Sequence, residues 1–185
     1  MDKKGKLFII AGPSGVGKGT IVKEILSANP DIELSVSATT RAPREGEIEG
    51  VSYYFLTKED FRKKIENNEL IEWAEFAGNY YGTLKSTVDK ALNEGQNLIL
   101  EIEVQGALQV KQVFPDVKMI FILPPDIEEL KSRLINRNTE TQEALDLRLA
   151  QVDRELKISK IFDVRLINDD LNKAVEDVTN FIKNN

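Results

Sequence analysis

The stretch Leu7-Phe8-Ile9-Ile10-Ala11-Gly12-Pro13-Ser14-Gly15-Val16-Gly17-Lys18-Gly19-Thr20 decides the fold of this chain of 185 residues. Its first five residues are apolar and uncharged, which is typical of a strand buried on both faces of a sheet. The glycines that follow allow a turn in which successive backbone N–H groups converge on one point. A helical pattern begins directly after the turn, and the helix N-terminus and the Lys18 ammonium add positive charge there. The stretch therefore predicts a phosphate-binding turn between a buried strand and a helix.

The spacing of Gly12, Gly17 and Lys18 matches the P-loop pattern. One position departs from it, because Gly19 follows the lysine and the hydroxyl comes one residue later, at Thr20. The pattern thus predicts phosphate binding and leaves magnesium ligation by Thr20 open. The alternative is an ordinary glycine-rich turn between a strand and a helix. The residues predicted to line the phosphate site are Gly12, Pro13, Ser14, Gly15, Val16, Gly17, Lys18, Gly19 and Thr20.

Composition restricts the chemistry that this chain can perform. It contains no cysteine and no histidine, which excludes disulfides and thiolate zinc sites and removes the commonest general base. Catalysis must therefore rest on charge, positioning and oxygen ligands. The net charge of −6 argues against a nucleic-acid surface, which needs clustered Lys and Arg over a whole face. A small anion requires only a few local arginines.

Length and hydropathy favour a single domain. The 185 residues, 41% of them hydrophobic, suffice for one well-buried core with small insertions. No run of about 18 apolar residues is present, and the start of the chain passes into the first strand rather than into a signal-peptide core. We therefore expect a cytoplasmic protein with neither a membrane nor a nucleic acid as partner.

Apolar strands alternate with helices along the chain, which predicts an α/β fold with a doubly wound parallel sheet and two insertions. Thr57 and Ser86 are expected to cap the helices that follow them. The predicted strands after the first are 33–37, 51–56, 70–76, 79–83, 97–100, 118–123 and 164–168, and the predicted later helices are 58–67, 86–93 and 107–113, with further helices from 126, from 141 and from 169 or 170.

Two groups of charged residues stand where a ligand would lie. Arg41 and Arg44 flank Pro43, which blocks a helix, so both project from a loop and are suited to a phosphate. The alternative is a surface loop with incidental arginines. Glu101 and Glu103 follow a buried strand at the sheet edge that also carries the phosphate loop, where a carboxylate can hold water on magnesium. Solvent-exposed residues at a strand end are the alternative.

The two helices predicted after residue 126 carry arginines that face one another. Arg133 and Arg137 lie a turn apart on the first helix, and Arg148 lies beside the apolar stripe of the second. Two short helices joined by a polar hinge predict a mobile lid. Two surface helices with solvated charges are the other interpretation.

Four stretches in order resemble the guanylate kinase family, and the likeness covers essentially the whole chain. They are 12–18, 35–44 with its Arg-Ala-Pro-Arg segment, Ile71-Glu72-Trp73 with Tyr80-Tyr81-Gly82-Thr83, and Ile167-Asn168-Asp169-Asp170. The resemblance implies a P-loop NTPase core, a small mixed β/α insertion that binds GMP, a short helical lid, and transfer of the ATP γ-phosphoryl group to GMP. We expect the core to comprise 1–35, 84–125 and 159–185, the insertion 36–83 and the lid 126–158.

The same resemblance implies roles for individual residues. Glu72 would accept hydrogen bonds from guanine, and Asn168 would contact the adenine of ATP. The ATP site would otherwise be the phosphate loop, and Mg²⁺ would be bound by Thr20 or Glu101, through water. The implied GMP-binding residues are Ser37, Arg41, Arg44, Tyr53, Glu72, Tyr81, Thr83, Glu101 and Glu103. The implied catalytic residues are Lys18, Arg41, Arg133, Arg137 and Arg148.

Two departures and two alternatives qualify this interpretation. Some family members have aspartates where this chain has Glu101 and Glu103, and Gly19 follows the P-loop lysine. One alternative is a non-catalytic guanylate-kinase-like module that binds phosphopeptides, which typically loses P-loop elements that this chain retains. The other is a kinase for another nucleoside monophosphate, which Glu72 and Thr83 disfavour.

Overall fold

The computed structural model describes residues 4–128, 130 and 142–185, the side chains of 142–145 and 148 excepted. Its elements, in chain order, are β1 (Leu7–Ala11), α1 (Lys18–Ala28), β2 (Ile32–Leu34), β3 (Ala38–Thr39), β4 (Tyr54–Phe55), α2 (Lys58–Glu66), β5 (Leu70–Phe76), β6 (Asn79–Leu84), α3 (Lys85–Asn93), β7 (Asn97–Glu101), α4 (Val104–Val113), β8 (Lys118–Leu123), α5 (Gln142–Ile158), a 3₁₀ turn (Ser159–Ile161), β9 (Val164–Ile167) and α6 (Leu171–Asn184).

The central sheet has five strands in the order β2-β7-β1-β8-β9, and every pair in it is parallel. β1 lies in the middle, where all five of its residues are buried. Ile9 pairs with Leu100 of β7 on one side and with Met119 of β8 on the other. The carboxyl ends of β1 and β7 therefore meet at one edge, which brings the glycine-rich turn next to Glu101.

Helices cover both faces of this sheet, as the doubly wound prediction requires. Phe8 and Ile10 of β1 pack with buried residues of α1 and α6. Leu7, Ile9 and Ala11, which point to the opposite face, pack with α3 and α4. In the described part of the chain, no helix combines the length and the apolar character needed to cross a bilayer.

The second sheet has four strands in the order β4-β3-β6-β5. β5 and β6 form the predicted hairpin, whose turn at Ala77 and Gly78 has φ angles of 49° and 74°. Phe61 of α2 is fully buried against this sheet, and its ring stacks on Tyr80 at 5.4 Å. Buried apolar contacts thus give the segment between β2 and α3 a small core of its own, formed by Ala38, Phe61 and Leu70.

Several predicted elements differ from those observed. The strand expected at 33–37 ends at Leu34, because the chain there leaves the central sheet to join the second one at β3. The strand expected at 51–56 is reduced to Tyr54–Phe55, since backbone bonds from Val51 and Ser52 to the Ile48 carbonyl form a turn. The helix expected from 107 already begins at Val104.

The two predicted helix caps have different outcomes. The Thr57 side chain caps α2 by accepting a hydrogen bond from the Asp60 N–H at 3.0 Å. The expected Ser86 cap is wrong, because β6 pairs as far as Leu84 and α3 begins at the next residue. Leu84 therefore occupies the N-cap position.

Candidate active site

The glycine-rich turn connects the carboxyl end of β1 to the N-terminus of α1. Gly12 passes so close to β8 that a Cβ there would lie 2.4 Å from the Ile122 carbonyl oxygen. Gly17 is the N-cap of α1 and has a φ of 93°, a left-handed conformation that favours glycine. A side chain at either position would therefore displace the backbone of the turn.

Lys18 folds back over the turn from which it extends. Its Nζ donates to the Gly12 carbonyl at 2.6 Å and to the Pro13 carbonyl at 3.1 Å. Burial lowers the pKa of Lys18, while the nearby carboxylates of Glu101, Glu155 and Glu103 act in the opposite direction. The ammonium is thus held next to the loop amides, where it can contact a phosphate.

A cavity of about 470 Å³ lies on the outer side of the turn. Asn168 borders it and donates from Nδ2 to the Val16 carbonyl at 2.8 Å. This bond joins the end of β9 to the turn and leaves the Asn168 carbonyl oxygen available as an acceptor. The cavity is lined by Gly15, Val16, Gly17, Pro124, Pro125, Asp126, Leu130, Asn168, Asp169 and Leu171.

A second cavity, of about 340 Å³, lies between the central sheet and the second sheet. The turn and the end of β7 form one wall, β5 and β6 form another, and α5 closes a third side. The residues lining it are Gly12, Ser14, Lys18, Ser37, Tyr53, Glu72, Ala74, Phe76, Tyr81, Gly82, Glu101, Ile102, Glu103, Gly106, Gln151 and Glu155. The fold therefore brings residues far apart in sequence to one cleft.

Glu72 is a buried carboxylate in this cleft, only 6% exposed. It lies opposite Thr83 in the pairing of β5 with β6, and the Thr83 hydroxyl donates to Glu72 Oε1 at 2.7 Å. Burial raises the pKa of Glu72 to about 7, although the Thr83 hydrogen bond acts against this. A Cβ at Gly106 of α4 would lie 2.7 Å from Glu72 Oε2, so the glycine provides room for the carboxylate.

The predicted phosphate ligands are only partly assembled in the cleft. Tyr53 and Tyr81 line it with their rings 6.3 Å apart. The Arg41 guanidinium stacks over the Tyr53 ring at 5.4 Å, but neither Arg41 nor the exposed Arg44 belongs to the cavity lining. Arg41 is instead paired with Glu47 through Nη2 and Oε1 at 2.8 Å.

Glu101 and Thr20 are the predicted magnesium ligands. A Cβ at Gly19 would lie 3.8 Å from Glu101 Oε1, so this carboxylate approaches the position where the P-loop pattern has a hydroxyl. Burial raises the pKa of Glu101, and the positive charge of Lys18 partly offsets this rise. Thr20 lies on α1 and is exposed. Among the described residues no three His, Cys, Asp or Glu side chains cluster as they would around a metal ion.

Three functional candidates were missed by the sequence analysis. Glu155 of α5 is 8% exposed, lines the cleft, and accepts a hydrogen bond from Gln151 Nε2 at 3.0 Å. Its sequence signal is a charge one turn after Val152, on the buried stripe of an amphipathic helix. Gly106 and Glu47 gave no comparable signal, because each depends on a contact that spacing does not reveal.

The predicted lid lies only partly within the described residues. Arg133 and Arg137 are outside them, as is the side chain of Arg148. α5 occupies the position of the second predicted lid helix, and its buried Val152 packs with Leu130.

Comparisons with known proteins identify close relatives. The sequence profile of the guanylate kinase family matches residues 4–185. A guanylate kinase of Synechocystis sp. is 50% identical over 179 residues, covering 97% of this chain and 94% of that protein. A guanylate kinase of Prochlorococcus marinus is 51% identical over 183 residues, covering 99% and 100%. The crystal structure of guanylate kinase from Anaplasma phagocytophilum matches with a TM-score of 0.78 at 30% identity, covering 98% of this chain and 86% of that one.

Proposed function

Because this chain belongs to the guanylate kinase family and transfers the γ-phosphoryl group of ATP to GMP, we propose that the cleft between its two sheets binds GMP and that the outer cavity binds the adenine of ATP. The observation that carries this assignment is the shared cleft itself. It contains a buried carboxylate, Glu72, on one wall and the P-loop lysine, Lys18, on the other. The two cavities lie on either side of the P-loop, which suits two nucleotides whose phosphates meet there.

Glu72 selects the guanine base in this proposal. Guanine presents two adjacent N–H donors on one edge, and the carboxylate can accept from both, while Thr83 and Ser37 add hydroxyl groups. Adenine has no such donor pair there, so its binding would leave a buried carboxylate unpaired. An unpaired buried polar group costs about 1–3 kcal/mol, or more when it is charged. The buried position of Glu72 is thus what makes discrimination strong.

The GMP phosphate is assigned to Arg41, Arg44, Tyr53 and Tyr81. The Tyr53 and Tyr81 rings already line the cleft, and Arg41 stacks on Tyr53. Arginine forks suit phosphate oxygens because two parallel N–H donors match their spacing. Binding would bring these four side chains around the monoester from the insertion side.

Catalysis then requires positioning and charge rather than a nucleophilic side chain. The GMP phosphate attacks in line, the loop amides from Gly12 to Thr20 and Lys18 hold the ATP phosphates, and Arg133, Arg137 and Arg148 are assigned to the lid side of the transferred group. Mg²⁺, which enters with ATP, would be held by Glu101 and Thr20 through water and would neutralise charge on the phosphates, while Glu101 and Glu103 also border the proposed GMP site. Residues 36–83 and 126–158 are proposed to close over the core, 1–35, 84–125 and 159–185, and exclude water.

Acceptor specificity tests this proposal. The protein is mixed with ATP, Mg²⁺ and GMP, AMP, CMP or UMP in turn, and ADP is followed. We expect GMP to be the preferred acceptor, and Glu72→Gln to raise the Michaelis constant for GMP while reducing the preference for GMP over AMP. An unchanged preference in Glu72→Gln would remove Glu72 from its assigned role.

A further inference from the structure

The loop from Arg41 to Glu47 is closed by one carboxylate. Glu47 Oε1 accepts from Arg41 Nη2 at 2.8 Å, and Glu47 Oε2 accepts from Arg41 Nη1 at 3.0 Å. Glu47 Oε2 also accepts from the Arg44 backbone N–H at 2.7 Å. Glu47 therefore contacts both arginines that are assigned to the GMP phosphate.

Counting donors shows which edge of Arg41 remains available. A guanidinium has five N–H donors. Both N–H groups of Nη1 are used, one by Glu47 and one by the Ala42 carbonyl at 2.7 Å, and one N–H of Nη2 is used by Glu47. Glu47 and Ala42 thus leave the Nε–H and the second Nη2–H, which lie parallel on the neighbouring edge, the arrangement that binds two oxygens of a phosphate. The Tyr81 hydroxyl is a further hydrogen-bond partner of the guanidinium.

The surroundings of Arg41 place the guanidinium next to the two tyrosines assigned to the phosphate. The guanidinium carbon of Arg41 lies over the Tyr53 ring, 5.4 Å from its centre, and Tyr53 and Tyr81 both line the cleft. Hydrogen bonding to Glu47 is the main cause of the raised pKa of Arg41, and the Tyr81 hydroxyl contributes as well. Glu47 contacts the guanidinium from the loop and, like Arg41, lies outside the residues that line the cleft.

We propose that Glu47 is a positioning residue for GMP: it holds the outer edge of the Arg41 guanidinium so that the Nε–H and Nη2–H edge is presented to the phosphate. The inference rests on the proposed function, because it assumes that Arg41 binds the GMP phosphate. Glu47 is ionised over the neutral range, since the hydrogen bond from Arg41 and then that from the Arg44 backbone lower its pKa. The guanidinium is thereby oriented before GMP arrives, which reduces the entropy lost on binding.

Glu47 also carries negative charge near a dianionic ligand, so the experiment must separate orientation from repulsion. Glu45→Gln is the matched control, because Glu45 is exposed on the same loop and the substitution removes the same charge. Glu47→Asp is the second variant, because it keeps the charge and shortens the reach by one methylene. The dissociation constants for GMP and for ATP are measured by calorimetry, and melting temperatures check the fold.

We expect Glu47→Gln to weaken GMP binding by about tenfold, the size of one lost hydrogen bond to a charged group. ATP affinity and the melting temperature should stay close to those of the unchanged protein. Glu47→Asp should weaken GMP binding to a smaller extent, and Glu45→Gln should leave it unchanged or slightly tighter. A Glu47→Gln protein that binds GMP as well as or better than Glu45→Gln does would overturn the inference.

A double-mutant cycle with Arg41→Lys tests whether Glu47 acts through Arg41. Lysine cannot offer a two-donor edge, so adding Glu47→Gln to Arg41→Lys should produce no further loss of GMP affinity. Equal losses in both backgrounds would show that Glu47 acts independently of Arg41 and would overturn the positioning role. If Arg41→Lys alone leaves GMP affinity unchanged, the assignment of Arg41 under the proposed function fails instead.

Discussion

Glu72 combines two properties that conflict at neutral pH, because it is buried and its assigned role requires negative charge. Burial raises its pKa to about 7, above the usual carboxyl range near 4. A carboxyl group with a raised pKa in the folded state stabilises the fold fully below its unfolded pKa, and this contribution is lost as the pH rises through the folded value. Ionised Glu72 therefore lowers the stability of the free protein, and this loss is complete above about pH 7.

This conflict predicts a pH-dependent effect of Glu72→Gln on stability. Glutamine keeps an oxygen that accepts the Thr83 hydrogen bond and has no charge to desolvate. Relative to the unchanged protein, the variant should gain at most about 3 kcal/mol between pH 5 and pH 8, from about 1.4 kcal/mol per pKa unit. Denaturant unfolding of both proteins at the two pH values measures the gain. A stability difference that is the same at both pH values would contradict the raised pKa.

Gly106 yields a second prediction at the residue scale. A methyl group there would lie 2.7 Å from Glu72 Oε2, closer than atoms can pack, so the carboxylate must move. We expect Gly106→Ala to raise the Michaelis constant for GMP by about tenfold, comparable to one lost charge-assisted hydrogen bond. The Michaelis constant for ATP should change little. Steady-state kinetics with each substrate varied in turn checks this, and equal effects on both substrates would indicate general damage to the fold.

Individual residues differ in how far the sequence could identify them. Glu72 and Thr83 were predicted as site residues because they stand in a recognisable stretch, and the structure places their side chains in contact. Glu47 and Gly106 were not predicted, since their contacts depend on a loop closing on itself and on a helix passing a strand. Such contacts are set by tertiary packing and leave no period or spacing in the sequence.

At the scale of elements, prediction succeeded where burial alone decides the structure. β1 and β8 occupy the predicted ranges because each is a continuous apolar run buried in the central sheet. β2 and β4 are shorter than expected because their ends are set by the crossing from one sheet to the other and by the turn at Ile48. Local propensity cannot indicate where a chain changes sheets.

The P-loop and the end of β9 act as one unit through Asn168. Its Nδ2 donates to the Val16 carbonyl at 2.8 Å, so Asn168 supports the loop and also borders the proposed adenine site. We expect Asn168→Ala to weaken the binding of ATP by about fivefold to tenfold, the effect of one lost hydrogen bond. The binding of tripolyphosphate, which has no base, should weaken by the same factor. Calorimetry with each ligand measures this. If the affinity for tripolyphosphate is unchanged while that for ATP falls, Asn168 contacts the base and does not support the loop. The affinity for GMP, which should not change, is the internal control.

At the scale of the whole molecule, a side chain as well as the backbone joins the two sheets. β5 is the last strand of the second sheet, and the Gln109 amide of α4 pairs with the Trp73 backbone at its free edge. Trp73 N–H donates to Gln109 Oε1 at 3.1 Å, and Gln109 Nε2 donates to the Trp73 carbonyl at 3.0 Å. The amide thus takes the place of a neighbouring strand and ties the β5 wall of the cleft to α4 of the core.

This connection predicts how the molecule responds to GMP. The walls of the cleft belong to β5 and β6, to the P-loop and to α5, so a ligand that contacts all three should draw them together. We expect saturating GMP to reduce the radius of gyration in small-angle scattering.

In Gln109→Ala the unliganded protein should have a larger radius of gyration and bind GMP more weakly. The reason is that β5 is no longer held against α4, and ordering it costs part of the binding free energy. Gln105→Ala, an exposed change on the same helix, should match the unchanged protein. If the radius of gyration does not change when GMP binds, the cleft is already closed in the free protein. Gln109 would then contribute to stability alone, and the Gln109→Ala protein would show this as a lower melting temperature.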